Sequence, residues 1–211
     1  MRVRRFFKPT KPMLKPGFYS IPAGMIAAIV THLEMLEMPE LRPAAAAAGW
    51  RYEKLEPNPG DYRRLYKAVG EEWLWVSRLL LGDDALGTIL NSPDVEIYQL
   101  TGTPSGVGIV ELDFRRQGEC ELTFFGVSGP MIGGPAARWL MNRAIERAWS
   151  RPIKRFWLHT CTLDHPAALA FYKRSGFRPC RFEVEVLADP RLTGRARQDA
   201  APHVPLLPAG P

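Results

Sequence analysis

Residues 159–177 read HTCTLDHPAALAFYKRSGF. The stretch begins inside a β-type run, 155–162, rich in aromatic and β-branched side chains. Asp164 or His165 can cap a helix, and Pro166 suits a first helical turn, which predicts a helix over 165–175. Ala168, Phe171 and Tyr172 then share its inner side, and Gly176 ends it. An alternating run over 181–187 is the next strand.

Upstream, the segment GVSGPMIGGPAA at 126–137 joins a β-type run, 120–127, to a helical pattern over 135–150. In that helix Ala137, Leu140, Met141, Ala144 and Ala148 fall on one face. Glycines at a strand-to-helix junction let backbone N–H groups face outward, and the helix start adds partial positive charge. The combination suits a pyrophosphate, although a tight turn into a Pro-started helix is the competing reading. It is neither a Walker A loop nor Gly-x-Gly-x-x-Gly. Further upstream, runs over 95–101, 107–114 and 120–127 make an antiparallel meander. Before it come a strand over 27–35 and a long helix capped by Asp61, with Tyr62, Leu65, Tyr66, Val69, Trp73, Val76 and Leu80 on one stripe and Gly70 as a bend. A shorter helical stretch comes after Asp84. The sum is an α/β (α+β type) domain: a mixed, mostly antiparallel central sheet with helices on both faces.

The quoted stretch resembles the signature of the GNAT superfamily of acyl-CoA N-acyltransferases, Asn-x-x-Ala-x-x-x-Tyr-x-x-x-Gly-Phe. Ala168, Tyr172, Gly176 and Phe177 match, with His165 in the Asn place. The loop is similar to the family's Gln/Arg-x-x-Gly-x-Gly/Ala, with Gly134 and Ala136 matching. Met131 stands where the family has Gln or Arg, and Pro135 has no N–H to give. Both departures would weaken cofactor affinity. A non-catalytic acyl-CoA-binding or interaction protein on the same fold is therefore the alternative to an enzyme.

The resemblance implies an N-acetyltransferase that uses acetyl-CoA or another short acyl-CoA as co-substrate and acylates a primary amine by direct attack. It implies cofactor contacts from Phe125, Val127, Met131, Ile132, Gly133, Gly134, Pro135, Ala136, Ala137, His165, Ala168, Phe171 and Tyr172. Val127 takes the place where a backbone N–H meets the thioester oxygen. Tyr172 is the candidate general acid, with core packing as its competing reading. Glu121 resembles a Glu that some members carry on this strand as a base acting through water. Simple alternation would put it on one face with Thr123, Phe125 and Val127. An exposed strand carboxylate is as good a reading of Glu121, and Glu111 and Asp113 compete for the role.

His159, Cys161, Asp164 and His165 form a rival cluster. Cys161 and His159 lie two apart on a strand and cannot readily hydrogen-bond, and the ligand count for a metal is too low. Trp73 reads as core. Trp75 reads as packing at a solvent edge, with the acceptor pocket as the other reading.

The 211 residues carry a net charge of +6. Arg2, Arg4, Arg5, Lys8, Lys11 and Lys15 account for all of it, so the remainder is neutral. Nucleic acid is not an expected partner, because the basic bias lies in one short arm. Twenty prolines concentrate at the two ends. The expected organisation is a basic arm over 1–17, a GNAT-like N-acetyltransferase domain over 18–187, and a Pro/Ala-rich tail over 188–211 that is extended or partly disordered. Three scattered cysteines give no disulfide framework, and no run is long and apolar enough for a membrane span. A reduced, cytoplasmic setting is expected, and a homodimer stays open.

Overall fold

The computed structural model describes residues 14–102 and 106–208. Most of the basic arm and positions 103–105 and 209–211 thus lie outside the described residues. Seven strands form one sheet: β1 (Met25–Met35), β2 (Arg51–Lys54), β3 (Val95–Gly102), β4 (Gly106–Asp113), β5 (Glu119–Val127), β6 (Arg155–Cys161) and β7 (Arg178–Ala188). Their order is β2-β3-β4-β5-β6-β1-β7. All neighbours are antiparallel except β5 and β6, which run parallel.

Helices α1 (Pro59–Gly70) and α2 (Asp83–Leu90) cover one face, through Tyr62, Leu65, Tyr66, Val69, Leu86 and Leu90. Helix α3 (Ala136–Trp149) and helix α4 (Ala168–Arg174) cover the other, where Leu140, Met141, Ile145 and Tyr172 pack on Val110, Leu112 and Phe156. Strand β4 feeds both layers alternately, as a pleated strand must.

Two local details differ from the expectation. The cap of α1 is Asn58, whose Oδ1 accepts from the N–H groups of Gly60 at 2.9 Å and Asp61 at 3.0 Å. Asp61 sits instead in the first turn. The helix also stops at Gly70 rather than running to Leu80. A Cβ on Gly70 would lie 2.3 Å from the Trp75 ring, so the chain folds back tightly on itself there. Leu74, in left-handed backbone, completes the reversal. Strand β2 has no apolar alternation and is not legible from its four residues.

Glu111, fully buried, accepts hydrogen bonds from the Tyr62 hydroxyl and the Arg78 guanidinium. It ties α1 and the stretch after it to β4, and it is closed off from any role as a base. Among the described residues no helix is long and apolar enough to cross a membrane.

The segment after β7 is not a loose tail. Ala196, Ala200 and Ala201 are buried in a cluster with Ile26, Ala28, Leu74 and Leu163. The Ala201 N–H donates to the Glu72 carbonyl, and the Gly24 N–H to the Leu207 carbonyl. Small side chains permit this close packing, which is why an Ala-rich composition reads as low complexity and yet docks. Arg191, 4% exposed, pairs with Asp189 at 2.7 Å and also donates to the carbonyls of Ala200 and Val204. Replacing Arg191 with Met leaves a buried carboxylate without its counter-charge. The expected loss is about 3 kcal/mol in urea unfolding. A loss below ~1 kcal/mol, the scale of an exposed pair, would mean that the segment contributes little to the fold.

Candidate active site

Strands β5 and β6 pair only from Glu119/Arg155 to Glu121/Trp157. Beyond that point they separate, and a cleft of about 700 Å³ opens between them, walled by residues 122–127 of β5 and by His159 and Cys161 of β6. The cleft passes through the sheet, since its walls include Phe125 and Val127 from the α3/α4 face and Phe124 and Gly126 from the α1 face.

A β-bulge decides which side chains face which mouth. Glu111 pairs with Phe124 while Leu112 pairs with Leu122, so Thr123 is an extra residue in β5. One inserted residue flips the pleat. Glu121, opposite Asp113, therefore lies on the α1 face with Phe124, not with Phe125 and Val127 as simple alternation gives. The Thr123 hydroxyl is buried without a hydrogen-bond partner among the described residues.

On the α3 side, the loop starts at Ser128, which exchanges hydrogen bonds with Val107 through its N–H and its hydroxyl. The N–H groups of Ile132 and Gly134 are spent on the carbonyls of Gly129 and Met131. Those of Gly133, Ala136, Ala137 and Arg138 have no partner among the described residues. The turn needs glycine at 133, where φ is +79°. Met131 is buried against the core beneath the loop, so its lost polarity does not face the cleft. Pro135, exposed, forms the cap position of α3, and neither it nor the buried Ala136 lines the cleft. The other expected cofactor residues all line the cleft. Two residues that the sequence reading leaves out join them: Arg138, in the first turn of α3, and Arg174, at the end of α4. Burial and the nearby guanidiniums of Arg42 and Arg174 push the Arg138 pKa down. Among the described residues none of these three arginines has a carboxylate partner.

Tyr172 packs edge-on against Phe125, Phe171 and Phe177. It lines the cleft, and its hydroxyl has no hydrogen-bond partner among the described residues. Burial, then the Asp164 charge, drive its pKa well above the usual phenol value, so it remains protonated at neutral pH. Asp164 does not cap α4; it accepts from the Thr160 hydroxyl at 2.6 Å, the Cys161 N–H at 2.9 Å and Trp75 Nε1 at 3.1 Å. The cap-like contact comes from His165, whose Nδ1 accepts from the Ala167 N–H at 3.0 Å.

On the α1 side, His159 lines the cleft and its Nδ1 lies 3.6 Å from Glu121 Oε1. The Glu121 carboxylate is the main influence on His159 and raises its pKa despite burial, which acts the other way. Glu121 itself is not part of the cleft wall; it faces Asp113, Arg115 and Arg116. The adjacent His32, its ring 5.6 Å from that of His159, is driven down chiefly by burial. Of the two, His159 is the one disposed to take a proton. Burial pushes the Cys161 thiol up to about 11, which leaves it an inert thiol at neutral pH. Trp73, expected in the core, and Trp75 both line the cleft.

Residues 50–177 match the family model described as the acetyltransferase (GNAT) family, which covers more than half of the chain. The chain belongs to the GNAT family. Its fold is also similar to a GCN5-related N-acetyltransferase from Sphaerobacter thermophilus, at TM-score 0.57 and 13% identity over 79% of this chain and 52% of that one. A GCN5-related N-acetyltransferase from Kribbella flavida gives TM-score 0.51 and 16% identity over 81% of this chain and 63% of that one. At such identities the likeness establishes the GNAT fold alone, and this chain spans about half to two thirds of the length of these structures. No curated protein matches it. The match ends at Phe177, the last residue of the GNAT signature, so β1, β7 and the docked C-terminal segment lie outside it.

Proposed function

We propose that this GNAT chain transfers an acetyl or short acyl group from acyl-CoA to a primary amine. The observation that carries the reading is the passage through the sheet, with an anion cradle at one mouth and a basic group at the other. The unspent N–H groups of Gly133, Ala137 and Arg138, with the Arg138 and Arg174 guanidiniums, fit the pyrophosphate of acyl-CoA. The thioester then lies between the separated strands, beside Tyr172 and the end of β5.

The amine enters from the α1 side and its nitrogen attacks the thioester carbonyl carbon. The C–N bond forms and the C–S bond breaks. His159 takes the ammonium proton and so frees the nitrogen lone pair; as the C–S bond breaks, the nitrogen loses a second proton to solvent and Tyr172 donates its hydroxyl proton to the departing sulfur. The products are an amide and the free CoA thiol, and both side chains re-equilibrate with solvent. Glu121 is a positioning residue that acts through His159. Met131 supports the fold of the loop rather than a phosphate contact, which removes one ground for a purely acyl-CoA-binding protein.

The test is release of CoA thiol from acetyl-CoA in the presence of primary amines, followed against pH. His159 must be unprotonated to act, so the rate rises with pH through a pKa held above its ordinary value of 6.5. Glu121→Gln removes the charge that raises it, and the acid limb moves to lower pH while the high-pH plateau survives. Loss of the plateau itself would make Glu121 the base. Acetyl-CoA binding without thiol release for any amine would favour the acyl-CoA-binding reading.

A further inference from the structure

The two mouths of the cleft differ in chemistry. The charged side chains lining the α3 mouth are the guanidiniums of Arg138 and Arg174. On the α1 side no Lys or Arg lines the wall, and the Arg78 guanidinium that stacks 5.2 Å from the Phe124 ring centre is paired with Glu111; the carboxylates and imidazoles of the wall are Asp164, Glu185, His159 and His165, the last packed on Trp73. Asp164 spends both oxygens on protein donors. Glu185, exposed on β7, has no hydrogen bond or ion pair among the described residues, yet it acts electrostatically on His159.

Around these carboxylates the wall is aromatic. Phe124 packs with Tyr66 at 4.9 Å and with Trp75 at 5.2 Å between ring centroids. Trp73 and Leu187 complete the wall. The rings are held from behind: Glu111 anchors the stretch that carries Trp75, and the C-terminal segment packs on Leu74. Ring faces dominate this surface; the Tyr66 and Ser77 hydroxyls in the wall are bonded to each other, and the Thr123 hydroxyl is buried.

Resting on the acyl-transfer reading, we infer that the acceptor is an amine cation on an aromatic or similarly compact apolar body, with no anionic group. Glu185 draws the ammonium toward His159, and the ring wall takes the apolar part. An acidic amino acid meets two like charges at this mouth. A polyhydroxylated amine finds few hydrogen-bonding partners for the hydroxyls it must desolvate.

The experiment compares 2-phenylethylamine, ethanolamine, glutamate and an aminoglycoside in the acetyl-CoA thiol-release assay. Alongside it, each amine is titrated against the protein with bound CoA, by the fluorescence of the cleft tryptophans. The expected kcat/KM for 2-phenylethylamine exceeds that for ethanolamine at least about tenfold, the scale of burying a ring. Glu185→Gln raises its KM about fivefold, the scale of a part-exposed charge pair, read on the high-pH plateau where His159 is unprotonated with or without the Glu185 charge, and leaves the KM for acetyl-CoA unchanged. Equal or better turnover of ethanolamine, glutamate or the aminoglycoside overturns the acceptor class and leaves acyl transfer standing. If no amine is turned over, acyl transfer fails, and the titration alone decides the class: 2-phenylethylamine must still bind at least about tenfold tighter than ethanolamine.

Discussion

Replacing Tyr172 with Phe lowers kcat for amine acetylation by about 10²–10⁴-fold, with acetyl-CoA affinity little changed. The substitution removes one oxygen and keeps the ring contacts with Phe125, Phe171 and Phe177. The hydroxyl has no protein partner among the described residues, so its loss does not orphan a buried donor or acceptor. The melting temperature should stay within a few degrees. That separation of rate from stability is what distinguishes an acid from a packing residue. Its raised pKa keeps the proton in place at neutral pH, and in the proposed transfer the departing sulfur receives it only as negative charge develops there. Burst and steady-state thiol release give the measurement. Wild-type kcat in a folded Tyr172→Phe variant would leave the ring as core packing and nothing more.

The second large effect is expected at His159. His159→Gln keeps a polar side chain of similar reach but no titratable nitrogen, and kcat should again fall by about 10²–10⁴-fold near neutral pH. The loss should shrink as pH rises, because more of the amine is then unprotonated without assistance. His159 stands on β6 with its side chain half exposed, and its ring is not needed to close the core, so the fold should persist. The contrast with Glu121→Gln is diagnostic. Loss of the base removes the acid limb governed by His159, whereas loss of its neighbour only displaces that limb. A His159→Gln enzyme with an unchanged pH profile would place the base elsewhere in the cleft.

Much of this site is legible in consecutive residues. The signature at 165–177 and the glycine loop at 126–137 identify two elements by local rules; His165, Ala168, Phe171 and Tyr172 of the first all line the cleft, as do Ile132, Gly133, Gly134 and Ala137 of the second, while Met131, Pro135 and Ala136 do not. Arg138 and Arg174 are visible in the sequence as cations at a helix start and a helix end, a signal that points to them only once both helices border one cleft. In the sequence His159 stands out only as a possible partner of a thiol. The role proposed for it rests on Glu121, 38 positions away, which lies beside it only because β5 and β6 run parallel over three residue pairs.

The sequence by itself determined the elements and their kinds: the meander, the strand–helix–strand at the end, and the glycine-rich loop between β5 and α3. Those follow from hydrophobic period, turn residues and caps, which are set within a few residues of each other. The tertiary structure alone decided three other things. It placed β1 between β6 and β7, with partners more than 100 positions away and no local trace in the sequence. It inserted Thr123 as a bulge, reversing the faces of Glu121 and Phe125, because a one-residue slip in pairing changes every facing after it. It also docked an Ala- and Pro-rich segment whose small side chains carry no periodic signal and become informative only where another surface closes on them.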